Sequence, residues 1–145
     1  MKIVPKAEVL KRIKIIYAQI PSFECKHCQM CSNPIFWIKP EEINIQEYLR
    51  KHNLSYITLS EIEFVRNNMK CPYLHNNRCN IYPVRPLVCR LQGLIPELPC
   101  PNNKTVFLSK EQYDRIILEL NDLNRDIEGI GEYFGTRKEA IFKII

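Results

Sequence analysis

The residues in this chain with the most chemistry to offer are its cysteines, seven among 145 residues. Cys25, Cys28 and Cys31 form the run CKHCQMC. Cys71, Cys79 and Cys89 lie in MKCPYLHNNRCNIYPVRPLVCRLQG, from Met69 to Gly93, and Cys100 follows. Two-residue spacers let neighbouring thiolates turn back on one centre, because a tight turn brings both sulfurs to the same side. A C-x2-C-x2-C run can therefore face one metal ion or one face of a cluster. The fourth ligand must come from elsewhere, and Cys71, Cys79, Cys89 and Cys100 are the cysteines left to supply it. All seven are candidate metal ligands. His27 sits inside the first run, but thiolates outcompete imidazole for a soft metal, so it is read as facing solvent. His52 and His75 are read as surface residues.

All-thiolate ligation suits both zinc and an iron–sulfur cluster. The first run matches the first three ligands of a bacterial ferredoxin cluster, but that pattern would need cysteine at position 35, where Ile35 stands. Zinc sites more often pair one C-x2-C with a second, and the wide steps from Cys71 to Cys79 to Cys89 differ from that. The spacing leaves the metal open.

CKHCQMC, then CPYL, then RCNIYPVRPLVCR resembles the YkgJ-like family of cysteine-cluster proteins. That family's pattern is CxxCxxCC, then CPFL, then C-x-IY-x-x-RP-x-x-CR. The match runs from about Cys25 to about Cys100, roughly half the chain. The family's doubled cysteine is Cys31-Ser32 here, so one thiolate of the pattern is missing: either Cys100 substitutes for it, or position 32 is not a ligand position at all. The resemblance implies a zinc- or iron-chelating domain. A related cysteine pattern in flagellin lysine N-methylases, where an iron–sulfur cluster is implicated, tilts the expectation to iron–sulfur, as a 4Fe-4S centre, with Zn2+ the alternative. Three functions follow. One is a redox, electron-transfer or oxidoreductase-associated protein with a redox or protein partner. Another is a zinc-stabilised binding module without catalysis. The third is a group-transfer enzyme resembling the flagellin methylases, for which no cofactor-binding motif or second domain is evident. Whether the chain is an enzyme stays open.

Length and composition fit one soluble domain over residues 1–145. Met1 to Ile20 has scattered lysines and no apolar h-region, and no stretch approaches a membrane span. A cytoplasmic location is therefore expected, where thiols serve metals or redox chemistry rather than structural disulfides. The formal net charge of +5 is spread along the chain instead of gathered in one patch, which argues against a nucleic-acid partner. Lysine and arginine near the site would offset the negative charge of a thiolate centre.

The expected architecture is α+β and mainly helical. A small cysteine-rich core with a short β-hairpin, residues 23–101, is flanked by an N-terminal helix and a helical scaffold over residues 109–145. Val9, Ile13, Ile16, Tyr17 and Ile20 form a helical stripe ended by Pro21. PIFWI reads as a short strand or turn, with Phe36 and Trp37 screening the site from water. Pro40 then opens a helix that stops near Asn53, with Glu41, Glu42 and Glu47 as first-turn acids and an exposed face. Alternation of Ile57, Leu59, Ile62 and Phe64 predicts short strands, against a competing capping box at Ser60 and Glu63. CPYL-HNN-RCNIY predicts a hairpin turning at Asn76-Asn77 that brings Cys71 and Cys79 together. One or two helical turns with Pro86 near the start then return Cys89 and Arg90 to it. Arg85 and Arg90 are candidate donors to sulfurs or nearby carbonyls. Gly93 and IPELPCPNN read as a loop offering Cys100. Ser109 and Gln112 cap the longest helix, striped by Tyr113, Ile116, Ile117, Leu120, Leu123, Ile127 and Ile130, and Thr136 opens a terminal one.

Overall fold

The computed structural model describes residues 4–22, 36–57, 61–66, 71, 73–75, 78–100, 103, 106–127 and 133–135. The chain is mainly helical with small β elements, as expected. Helix α1 spans Lys6–Ala18, α2 Lys39–Lys51, α3 Glu61–Arg66, α4 Leu87–Leu91 and α5 Lys110–Asp126. Strand β1 (Phe36–Ile38) pairs antiparallel with β4 (Tyr133–Gly135), and β2 (Leu74–His75) pairs antiparallel with β3 (Arg78–Cys79).

The helices form where spacing and end signals agree. Pro5 precedes α1, and Val9, Ile13, Ile16 and Tyr17 on one face of it are buried. Proline falls in the first turn of α2, where its missing N–H costs nothing. In α5 the Ser109 hydroxyl accepts from the Gln112 N–H while the Gln112 side chain accepts from the Ser109 N–H, a closed capping box. Its stripe of Ile116, Leu120 and Leu123 packs on Ile13, Ile16 and Tyr17 of α1 and on Leu87 and Leu91 of α4.

A second cluster lies under the hairpin. Trp37, Ile45, Leu49, Tyr73 and Ile81 are fully or nearly fully buried, with Cys71, Cys79, Ile57 and Val84 packed around them. The Tyr73 hydroxyl accepts from the Ile57 N–H at 2.9 Å, tying the 54–57 segment to the hairpin.

Three expectations change. Residues 61–66 are a helix, α3, rather than a strand. Ile62 of that alternating pattern is exposed, so the alternation did not mark a buried face. Glu41, Glu42 and Glu47 are not on an exposed face: Glu41 and Glu42 are each 2% exposed, and Glu47 is also buried. For Glu41 the reason is spacing, since Glu41, Ile45 and Leu49 follow one another every four residues and share the inward face of α2; Glu47 is covered instead by the Lys6 and Arg50 side chains paired with it. Residues 133–135, between the two helices expected at the C-terminal end, form a strand. The terminal helix from Thr136, the Asn76-Asn77 turn and Ile130 lie outside the described residues.

Candidate metal centre

The hairpin carries Cys79 on β3, opposite Leu74, and the Asn80 N–H donates to the Tyr73 carbonyl at 2.8 Å. The chain then passes through a 3-10 turn at Tyr82–Val84 into α4, with Pro86 at its N-cap. This local sequence sets the path. Prolines at 83 and 86 suit the first positions of short helical turns, so the chain doubles back within ten residues of Cys79. Cys89 on α4 thus returns to the hairpin.

Cys89 lies within electrostatic reach of both Cys71 and Cys79. Burial pushes the Cys89 thiol well above its ordinary range, and the charges of Cys71 and Cys79 push it the same way, while Arg85 opposes them. Burial also raises the Cys79 thiol; a hydrogen bond from the Ile81 backbone N–H and the charge of Arg85 pull it back. A backbone N–H aimed at a cysteine sulfur, with a guanidinium nearby, favours the thiolate that metals bind. Among the described residues no group of three or more His, Cys, Asp or Glu side chains closes into a metal-holding set. Cys25, Cys28, Cys31 and His27 lie outside the described residues.

The two arginines take the backbone option. Arg85 Nε donates to the Tyr82 carbonyl at 3.0 Å, with its guanidinium 3.7 Å from the Tyr82 ring centroid. Arg90 donates from Nε to the Arg85 carbonyl at 2.8 Å and from Nη2 to the Pro83 carbonyl at 2.9 Å. Its guanidinium also lies 3.9 Å from the Tyr17 ring centroid. Arg90 therefore staples the chain entering α4 to α1.

Cys100 sits in a loop closed on itself. Gly93, at φ 85°, turns the chain through a left-handed conformation open to glycine, and its N–H donates to the Leu98 carbonyl. The Asn103 side-chain amide donates to the Gly93 carbonyl at 2.8 Å and the Val106 carbonyl at 2.6 Å, and its oxygen accepts from the Val106 N–H at 3.1 Å. The Asn103 N–H donates to the Cys100 carbonyl at 3.1 Å. Cys100 is thus fixed by its own loop. Gln92 adds a bond from Nε2 to the Pro99 carbonyl at 2.9 Å, next to it.

Behind the thiols lies a polar cluster that the reading of the sequence did not anticipate. Glu41 Oε2 accepts from the Tyr17 hydroxyl at 2.6 Å and from the Leu87 N–H, and Oε1 accepts from the Ile38 N–H at 3.3 Å. Burial raises the Glu41 carboxyl above its usual range, and the Tyr17 and Leu87 bonds oppose that shift. Beside it, Glu42 accepts from the Trp37 indole N–H and from Gln46 at 2.9 Å. The sequence did hold a signal for Glu41, its place on the Ile45–Leu49 stripe. Glu47 differs, being tied to Lys6 and to Arg50 Nη2 at 2.6 Å, with Lys51 at 3.9 Å. His52 is exposed, as expected, and stacks on the Tyr48 ring.

No helix among the described residues is long and apolar enough to cross a membrane. Neither the curated proteins nor the solved structures contain a match to the chain. Residues 24–116 match a family model described as "CxxCxxCC: putative zinc- or iron-chelating domain". The matched span takes in every cysteine of the chain, the hairpin, α4 and the first turns of α5. With well over half of its length inside that match, the chain belongs to the CxxCxxCC family of zinc- or iron-chelating domains.

Proposed function

We propose that the chain holds an iron–sulfur cluster, of the four-iron, four-sulfur type, on cysteine thiolates and serves electron transfer or an oxidoreductase partner. The observation that carries this reading is the return of α4 to the hairpin, which sets Cys89 within charge range of Cys71 and Cys79. Thiolates gathered in a partly dry site repel one another, and a bound cationic centre relieves that repulsion. The donor set therefore fits a soft metal. Such a cluster takes four thiolates: Cys25, Cys28 and Cys31 are the close-spaced ligands, and the fourth comes from Cys71, Cys79, Cys89 or Cys100, the sulfurs left over either lining the same centre or holding a second one. Bound there, the cluster would supply one-electron chemistry.

The protein's own groups tune the site. The Ile81 N–H and Arg85 temper negative charge at the sulfurs. Hydrogen bonds to sulfur and burial are the levers that set a cluster's potential. The second core cluster, with Trp37 and Tyr73 almost wholly buried, keeps water from the inner side of the hairpin. A net charge of +5 favours an acidic redox partner. The second reading is a zinc-stabilised binding module. It is favoured by the short hairpin itself, since a Cys79 sulfur accepting a backbone N–H serves zinc equally well.

Anaerobic purification separates the two readings. The iron–sulfur reading expects a brown protein with broad visible absorption that bleaches on reduction, and iron matched by acid-labile sulfide. A colourless protein carrying stoichiometric zinc, which takes up no cluster on reconstitution with iron and sulfide, would replace it with the zinc module.

A further inference from the structure

We propose that Glu41 is a positioning residue for the thiol centre, holding Cys89 in place by hydrogen-bonding the N-terminus of α4 from the interior. The metal arm of this inference rests on the thiolate-centre reading above; the geometric arm does not. Helix α4 has only five residues; the Cys89 and Arg90 N–H groups bond to the Pro86 carbonyl at 3.1 and 3.2 Å, whereas the Leu87 N–H, at the first position, has no acceptor within the helix. Pro86, its N-cap, offers no side-chain acceptor. The Leu87 N–H finds its acceptor in Glu41 of α2, forty-six residues earlier. That carboxylate is in turn oriented by the Tyr17 hydroxyl of α1 at 2.6 Å. Three elements thus meet on one buried carboxylate, which holds the chain at Leu87, two residues before Cys89.

The rest of the surroundings fit the same role. Arg90, next to Cys89, clamps the carbonyls of Pro83 and Arg85 and covers the Tyr17 ring. Burying a carboxylate is costly unless its oxygens are bonded, and here both oxygens accept. Simple packing would be served better by leucine at position 41, on the stripe with Ile45 and Leu49. What the carboxylate adds is a fixed acceptor at the root of α4. Ligand-orienting groups of this kind are worth about 10- to 100-fold in metal affinity.

The test compares Glu41→Ala, Glu41→Gln and Tyr17→Phe with the unaltered full-length chain. One arm titrates the reduced protein with cobalt(II), reading affinity and the intensity of sulfur-to-cobalt charge-transfer absorption. The other follows iodoacetamide labelling of the metal-free protein by mass spectrometry, as the ratio of Cys89 to Cys79 labelling. Circular dichroism and melting report the fold. Glu41→Ala is expected to weaken cobalt binding by about tenfold or more, to lower the charge-transfer intensity, and to raise the labelling ratio. Glu41→Gln keeps an acceptor oxygen and is expected to restore all three. A role confined to stability would lower the melting temperature and leave the labelling ratio and absorption intensity unmoved, which overturns the proposal. So would a glutamine variant as impaired as alanine. If Glu41→Ala does not fold, Tyr17→Phe decides, with a raised Cys89 ratio expected and an unchanged one contradicting. Absence of sulfur-to-cobalt absorption in the unaltered protein would remove the thiolate-centre reading, and the labelling ratio alone would then decide the role of Glu41.

Discussion

Replacing Ile45 by alanine removes the residue most completely enclosed beneath the hairpin. Ile45 is 0% exposed and belongs to the cluster of Trp37, Leu49, Tyr73 and Ile81, against which Cys71 and Cys79 pack. It sits on α2, away from every cysteine in sequence, so the substitution empties the floor of the site without touching a sulfur. Truncating a wholly buried isoleucine to alanine costs about 2–5 kcal/mol, the lost transfer energy plus the cavity left behind. Rigid neighbours on all sides place Ile45→Ala near the middle of that range, about 3 kcal/mol. With a urea slope of about 1–3 kcal/mol/M for a chain of this size, the unfolding midpoint falls by about 1–3 M. The chain has one tryptophan, Trp37, and it lies in the same cluster, so its fluorescence reports this loss directly. Zinc at about 100 times its dissociation constant should return about 2.7 kcal/mol, because a ligand that binds only the folded site stabilises by mass action. An unchanged midpoint in Ile45→Ala would refute the claim that this cluster supports the hairpin. A loss of the expected size that metal does not offset would refute the claim that metal binds only the folded hairpin.

Two further substitutions probe the acid and the outer thiol. Contacts with Arg50 and Lys6 lower the Glu47 carboxyl from 4.5 to about 2. A depressed folded-state value means that its stabilisation is present above pH 4.5 and is lost as pH falls towards 2. Wild-type melting temperature should therefore fall more steeply across that window than that of Glu47→Gln, and parallel curves would contradict the pairing. For Cys100, metal content and visible absorption of Cys100→Ser are compared with those of Cys28→Ser under anaerobic purification. Loss in both is expected if Cys100 completes the site, whereas loss in Cys28→Ser alone makes Cys100 a bystander.

Much of the architecture was legible because it is set by neighbours in sequence. The α1 stripe, the Ser109–Gln112 box, proline ahead of α4, and the hairpin between Cys71 and Tyr82 each depend on a few adjacent residues. The failures have physical causes. Around Ile57 to Phe64, apolar alternation competed with a capping signal at Ser60 and Glu63, and the helix that formed leaves Ile62 in water. Strand β4 exists by pairing with β1 from the far end of the chain, and nothing local in Tyr133–Gly135 announces that partner. Glu41 was misplaced because first-turn acids are ordinarily solvated, favourable charges at a helix N-terminus. Its position four residues before Ile45 was the better guide, and the donors that make its burial tolerable come from α1 and α4. The cysteine pattern pointed to the family and Pro86 to the return of α4; among the described residues Cys89 comes within charge range of Cys71 and Cys79 without the three closing into a metal-holding set.

The central claim is that the cysteine runs share one thiolate metal centre, and metal-edge X-ray absorption of the anaerobically purified chain tests it most directly. A shared centre gives a first shell dominated by sulfur, with iron–iron scattering if it is a cluster, or four sulfurs at about 2.3 Å if it is zinc. A first shell of oxygen and nitrogen alone, or a chain that retains neither metal, would contradict it.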